Sequence, residues 1–244
     1  MTFLLTLVVT IAVVLCLRKP MMSAPWAFYV VGVLLDVLLL AQCLGMLPNE
    51  LDLVVMPLLR RGFVALSLFV VVMYIGVFPY NGKVRNYLAP VRAVLSIVAC
   101  ILALGHIVVY FSPYVTGLFA GAHFQAPIVA SMIAGVVLLI LLLLLGVTSF
   151  RFVRKRMRGK TWIRLQKLAY LFYALIYVHS MCLLMPPAIN GGLAARVSVV
   201  VYSVVFGAYA IARTARMVID HRASQAANRN LNKDRQRELD GQAL

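Results

Sequence analysis

Apolar residues run almost unbroken through seven stretches of this chain, near 1–17, 26–46, 62–79, 91–111, 127–149, 164–185 and 197–215, with the charges gathered between them. A helix rises 1.5 Å per residue, so about 20 residues cross a hydrocarbon core of about 30 Å. The runs are too long and too continuous for the alternating strands of a membrane barrel. The pattern therefore predicts an all-α fold, a polytopic integral membrane bundle of about seven transmembrane helices. The first run is the shortest, spanning about 25 Å. It has no positive n-region and no small-residue cleavage site, and Arg18 and Lys19 follow it, so it reads as an anchor and not as a signal peptide.

Composition agrees: 64% hydrophobic residues, 12% charged residues and a mean hydropathy of +0.97 cannot make a soluble surface. A net charge of +16 would point to nucleic acid in a soluble protein, but its distribution points elsewhere. If the seven helices alternate in direction, every Lys and Arg except Arg60, Arg61 and Arg196 falls on one side. By the positive-inside rule that side is cytoplasmic, which puts the N-terminus outside and the C-terminus inside a multi-pass protein of the inner (plasma) membrane. The basic residues then meet membrane lipid, and no nucleic-acid partner is implied. Residues 216–244 read as a basic cytoplasmic tail, a solvated helix touching anionic headgroups or, alternatively, a docking peptide. Cys16, Cys43, Cys100 and Cys182 lie in apolar stretches at no metal-ligand spacing and read as core filler. No nucleotide-binding loop or hydrolase motif is present.

Ionisable groups inside spans are costly unless compensated, so they mark function. Two histidines stand out: His106 in LSIVACILALGHIVVY and His179 in LAYLFYALIYVHSMCLL. His179 lies about 26 Å along the axis from Trp162, and His106 about 21 Å from Arg92, so both fall toward the outer leaflet at matching heights. Two imidazoles presented from two helices are what a six-coordinate haem iron needs on its two faces. Each alone is equally consistent with a hydrogen-bonded structural role. Ala103, Ala99, Ser96 and Arg92 trail back from His106 within a stripe of roughly 80°, small enough for a macrocycle or a neighbouring helix to approach. Tyr170, Tyr173 and Tyr177 read as packing and hydrogen-bonding residues before an electron-hopping chain. His123 sits in an outer loop and reads as exposed; Asp36, the one acid inside a span, could pair with an arginine or relay protons.

The stretch LLGVTSFRFVRKRMRGKTWIRLQKLAYLFYALIYVHSMCLL resembles the ferric reductase-like transmembrane domain. Within that family it is most similar to the haem-binding membrane subunit of the bacterial periplasmic methionine-sulfoxide reductase system. The shared features are Thr148 and Ser149 before a basic loop, then Trp162, Leu165, Leu168 and Tyr170 opening a helix that ends in His179; His106, followed by Tyr110, resembles the family's earlier haem-ligating histidine. The resemblance covers roughly residues 85–215, which divides the chain into N-terminal transmembrane helices of unassigned role (1–84), a haem-binding domain (85–215) and the tail (216–244). It implies a b-type haem bundle moving electrons across the membrane to an extracytoplasmic partner, with His106 and His179 as metal ligands.

The family pattern has a further histidine immediately after Leu165, and here that position is Gln166. An amide is a poor haem ligand, so the departure puts an inner-leaflet haem in doubt and leaves one haem b expected. Electrons must then enter another way. Either a flavin such as FMN sits near Arg92, Arg164, Gln166 and Lys167, or a membrane quinol delivers them directly to the outer site. Arg60, Arg61 and Arg196 are available for haem propionates or equally for headgroups. Outer loops with little charge beyond Glu50, Asp52 and a few arginines favour a partner that docks by shape. The chain reads as the electron-transfer subunit of an oxidoreductase system, taking electrons from a quinol or flavin donor and passing them to an extracytoplasmic reductase. The alternative is a small-molecule or ion carrier with a polar His/Asp/Arg pathway and no haem, against which the missing repeats and unbroken helices weigh.

Overall fold

A computed structural model of the protein describes residues 2–46 and 55–242, apart from the side chains at 227 and 230–242; Glu50 and Asp52 lie outside the described residues. Among these residues every regular element is helical: α1 (Thr2–Cys16), α2 (Arg18–Ser23), α3 (Pro25–Cys43), α4 (Val55–Arg60), α5 (Phe63–Ile75), α6 (Lys83–Leu88), α7 (Arg92–Phe119), α8 (Ala126–Ser149), α9 (Arg151–Arg156), α10 (Gly159–Gln166), α11 (Leu168–Ile189) and α12 (Leu193–Gln242). A chain this apolar has no water to satisfy its peptide groups in lipid, and the helix satisfies them within each segment.

Each of the seven apolar runs contains a helix, and five helical stretches are long and apolar enough to cross a membrane: Pro25–Cys43, Lys83–Phe119, Ala126–Ser149, Gly159–Ile189 and Leu193–Ala226. The other two are shorter than their runs predict, with 15 residues in α1 and 13 in α5. The run at 62–79 loses its ends to glycines. Gly62 sits at φ +70°, which breaks α5 from α4, and Gly76 closes α5 at the other end. α12 continues through the tail as one helix of 50 residues, about 75 Å long.

α8 packs along both α7 and α11, α3 and α5 pack on α7, α1 on α5, and α12 on α11. α7 and α11 are not among the closely packed pairs. The core is centred on Val14, Leu39, Leu59, Ser67 and Leu95, all essentially fully buried, and a second cluster of Leu141, Leu142, Leu145 and Phe172 joins α8 to α11. Aromatic contacts bind α12 to its neighbours: Phe3 meets Tyr202 at 4.6 Å and Tyr173 stacks on Phe206 at 4.4 Å. The Tyr74 hydroxyl donates to the Val205 carbonyl at 2.6 Å.

Lipid removes the hydrophobic drive between helices, so close backbone approach matters more. Gly146 illustrates it: a Cβ there would lie 3.1 Å from the Cys100 sulfur. Cys100 therefore fills space beside α8, and all four cysteines are free thiols. Exposed Leu34, Val37, Ile133, Ile140 and Ile211 turn outward, as a lipid-facing surface requires.

Candidate functional site

The gap between α7 and α11 is a cavity of about 660 Å³, within the range of about 300–1,000 Å³ typical of small-molecule sites. His106 on α7 and His179 on α11 both form part of its wall, with Ala103, Leu138, Leu142, Phe172 and Ile176 making much of the rest apolar. Residues 1–84 contribute too: Thr2, Phe3, Arg61, Phe63, Leu66 and Phe69 supply part of the wall.

Each imidazole is fixed through Nδ1. The His106 Nδ1–H donates to the Arg60 carbonyl at 2.6 Å. The His179 Nδ1 lies 2.9 Å from the Ser131 carbonyl and 3.0 Å from the Ser131 hydroxyl. A carbonyl can only accept, so in both rings Nδ1 carries the proton and Nε2 keeps its lone pair. Neither Nε2 makes a hydrogen bond among the described residues. A backbone carbonyl holding Nδ1–H is the arrangement that orients an imidazole as a metal ligand.

Gly62 explains how His106 fits. Its φ of +70° turns the chain out of α4 so that the Arg60 carbonyl meets the ring, and a Cβ at Gly62 would lie 3.2 Å from the imidazole Cγ. The Tyr110 ring packs against His106 at 5.0 Å. On the other side, Ser131 presents both its groups from α8, and Gly135, one turn on, leaves the His179 ring in ordinary contact at 3.6 Å from where a Cβ would be.

The donor set suits a haem better than a bare ion. Among the described residues no three His, Cys, Asp or Glu side chains converge. Two imidazoles alone would leave a lone cation under-coordinated, whereas a porphyrin would bring four nitrogens of its own and leave His106 and His179 to complete the iron's coordination.

The remaining expected site residues divide. Arg92 and Gln166 line a second, smaller cavity of about 250 Å³ at the basic end of the bundle, together with Arg85, Tyr170 and Arg213; Arg164 and Lys167 are not on its wall. Gln166 donates from Nε2 to the Thr148 hydroxyl at 3.2 Å, and Trp162 donates to the Thr148 carbonyl at 3.1 Å, so α10 is clasped to the end of α8. Among the lining residues of that cavity there is no histidine. Arg196 is not on the wall of either cavity described; its Nε donates to the Ala188 carbonyl at 2.9 Å. Arg61 does line the histidine cavity. Of the small-residue stripe, Ala103 faces the cavity while Ala99 is fully buried in the helix-packing core.

His123 is exposed in the turn between α7 and α8. Tyr170 and Tyr177 make hydrogen bonds, to Arg213 and Ser203, and Tyr173 packs on Phe206. Asp36 makes no ion pair among the described residues; its Oδ1 is buried without a partner against Gly105, the residue before His106. Sequence patterns missed Ser131 and the Arg60 carbonyl. A serine in an apolar helix has many uses, and a carbonyl belongs to every residue.

Residues 61–177 match the family described as "Ferric reductase like transmembrane component". The match takes in His106, the clasp around Thr148 and the turn at Gly62; it stops two residues before His179 and begins within the N-terminal segment that carried no earlier assignment. A protein of Treponema pallidum (strain Nichols), described as an uncharacterized protein, is 42% identical over 136 residues. The aligned part is 54% of this chain and 37% of that protein, so the chain spans well under half of its relative. No solved structure matches the chain.

Proposed function

We propose, from the ferric reductase-like segment and the cavity it walls, that this chain is a membrane electron-transfer subunit holding one b-type haem between His106 and His179. The observation that carries this is the pair of rings on one cavity, each with Nδ1–H committed to a main-chain carbonyl and Nε2 left free. A haem bound there supplies a one-electron iron couple. The protein's own part is to orient the two imidazoles on rigid helices, to surround them with Leu138, Leu142, Phe172 and Ile176 so that water is excluded, and to offer Arg61 to a propionate. With the basic end cytoplasmic, the histidines lie toward the outer leaflet, where an extracytoplasmic reductase can approach.

The first test is stoichiometry with spectrum. Pyridine haemochrome titration of the purified chain is expected to give one haem per chain with a low-spin Soret band. A ratio near two would require a second ligand pair that the basic-end cavity does not contain, and a preparation that stays colourless after haem is added would remove the proposal.

The donor follows from what the chain lacks at the basic end. It has no nucleotide-binding motif, and Gln166 uses its amide to hold Thr148. We therefore assign the donor role to a membrane quinol, with a cytoplasmic flavin donor as the competing route. In sealed vesicles, quinol alone is expected to reduce the haem. If reduction instead needs added flavin and a cytoplasmic reductase, and Arg164 or Lys167 substitutions block it, the flavin route replaces the quinol.

A further inference from the structure

We propose that the smaller cavity at the basic end is a binding site for a phosphate group, separate from the histidine cavity and independent of any haem. Three guanidinium groups from three helices meet on its wall: Arg85 from α6, Arg92 from the first turn of α7 and Arg213 from α12. Among the described residues Asp220 is the only acid on that wall, and its Oδ1 is already paired with Arg216 at 2.8 Å. The wall thus carries more positive charge than the protein neutralises.

Two of the three arginines are held in place by the protein. Arg213 donates to the Gly76 carbonyl at 3.2 Å and to the Tyr170 hydroxyl at 2.5 Å, while its Nε is buried with no partner. Arg85 donates to the Phe78 carbonyl at 3.2 Å and lies over the Tyr80 ring at 4.6 Å. Arg92 makes no hydrogen bond or ion pair among the described residues. Positive-inside arginines ordinarily spread toward headgroups, because like charges repel, the more so at the low dielectric of a membrane boundary. Three brought onto one cavity, two of them pinned, form an arrangement that an anion stabilises.

The geometry selects the anion's class. Planar guanidinium forks match phosphate oxygens in a way that a point charge does not. At about 250 Å³ the cavity is below the range of about 300–1,000 Å³ for whole small-molecule ligands, yet it admits a phosphate with a few attached atoms. The carrier of the phosphate then remains outside. The shared chemistry has two sources, the headgroup of an anionic phospholipid and a free phosphate ion. Placement at the mouth of the basic end, where anionic lipid accumulates, gives the lipid access.

The full chain in neutral detergent, carrying phosphatidylcholine, is titrated with phosphatidylglycerol, and retained lipid is counted by native mass spectrometry. The expected result is one phosphatidylglycerol retained in preference to phosphatidylcholine. Arg92→Gln is expected to weaken it about tenfold, the loss of one charge-assisted contact. Because Arg92 supports no internal bond, this variant keeps its thermal midpoint in the absence of ligand. Arg158→Gln, off the cavity wall, binds as wild type. Displacement of the lipid by inorganic phosphate at constant ionic strength assigns the site to free phosphate; lipid binding unaffected by phosphate assigns it to the headgroup. Equal retention of the two lipids with no stabilisation by phosphate, or an Arg92→Gln variant that binds like wild type, overturns the proposal. Neither readout depends on haem, so this result and that of the haem titration stand or fall separately.

Discussion

Alanine at His106 or at His179 is expected to remove the low-spin haem spectrum and most of the haem. One imidazole then remains to hold an iron that two held before. Loss of an outer-shell partner alone lowers metal affinity by about 10–100-fold, so loss of an axial ligand is expected to reduce occupancy by at least about tenfold. The fold should survive, because both rings line a cavity and removing one enlarges it without breaking a contact between the core apolar side chains. Circular dichroism checks that point. Added imidazole, entering the space left by the ring, is expected to restore part of the low-spin band in both variants. His123→Ala, in the exposed turn, leaves the spectrum as it was. Full retention of the low-spin spectrum in either cavity variant would falsify the ligand assignment.

A second large effect is expected at a residue with no side chain. Gly62→Val places a branched side chain where φ is +70° and where even a Cβ would lie 3.2 Å from the His106 ring. The backbone strain amounts to about 1–2 kcal/mol, and the ring must also move away from the Arg60 carbonyl that holds it. Gly45 separates the two contributions: its φ is +72°, and among the described residues nothing lies within 4 Å of a Cβ there. Gly45→Ala is expected to lower the thermal midpoint with haem content unchanged. Gly62→Ala should lower the midpoint and the haem content together, and Gly62→Val should leave little low-spin haem. Equal haem content in Gly62→Ala and Gly45→Ala would show that the contact with His106 has no bearing on binding.

The distribution of apolar runs carried most of the architecture, because in lipid an apolar run has one solution, the helix. The ends of those helices were harder to read. α5 is shorter than its run chiefly because the helix closes at Gly76, before the apolar run ends, and composition does not register where a helix closes. His106 and His179 were visible as ionisable groups in hydrocarbon. Their shared cavity was implied only by equal depth. Arg196 looked suited to a propionate because arginines near an outer rim are scarce, yet it is engaged by the end of α11. Arg85 and Arg213 escaped notice for the opposite reason: among so many basic residues on one side, nothing in the sequence distinguishes the few that the helices bring together.

The main-chain anchor of His106 has an effect on how this protein tolerates mutation. An anchor made by a side chain disappears with a single codon change, but the Arg60 carbonyl is present whichever amino acid occupies position 60. In a saturation library scored for haem content, position 60 should accept many residues that keep the end of α4 intact, while position 62 accepts almost none. Heritable constraint is therefore displaced from the residue that makes the bond to the neighbour that lets the chain turn. Drift at position 60 among descendants of this gene would be neutral for the site it helps to build.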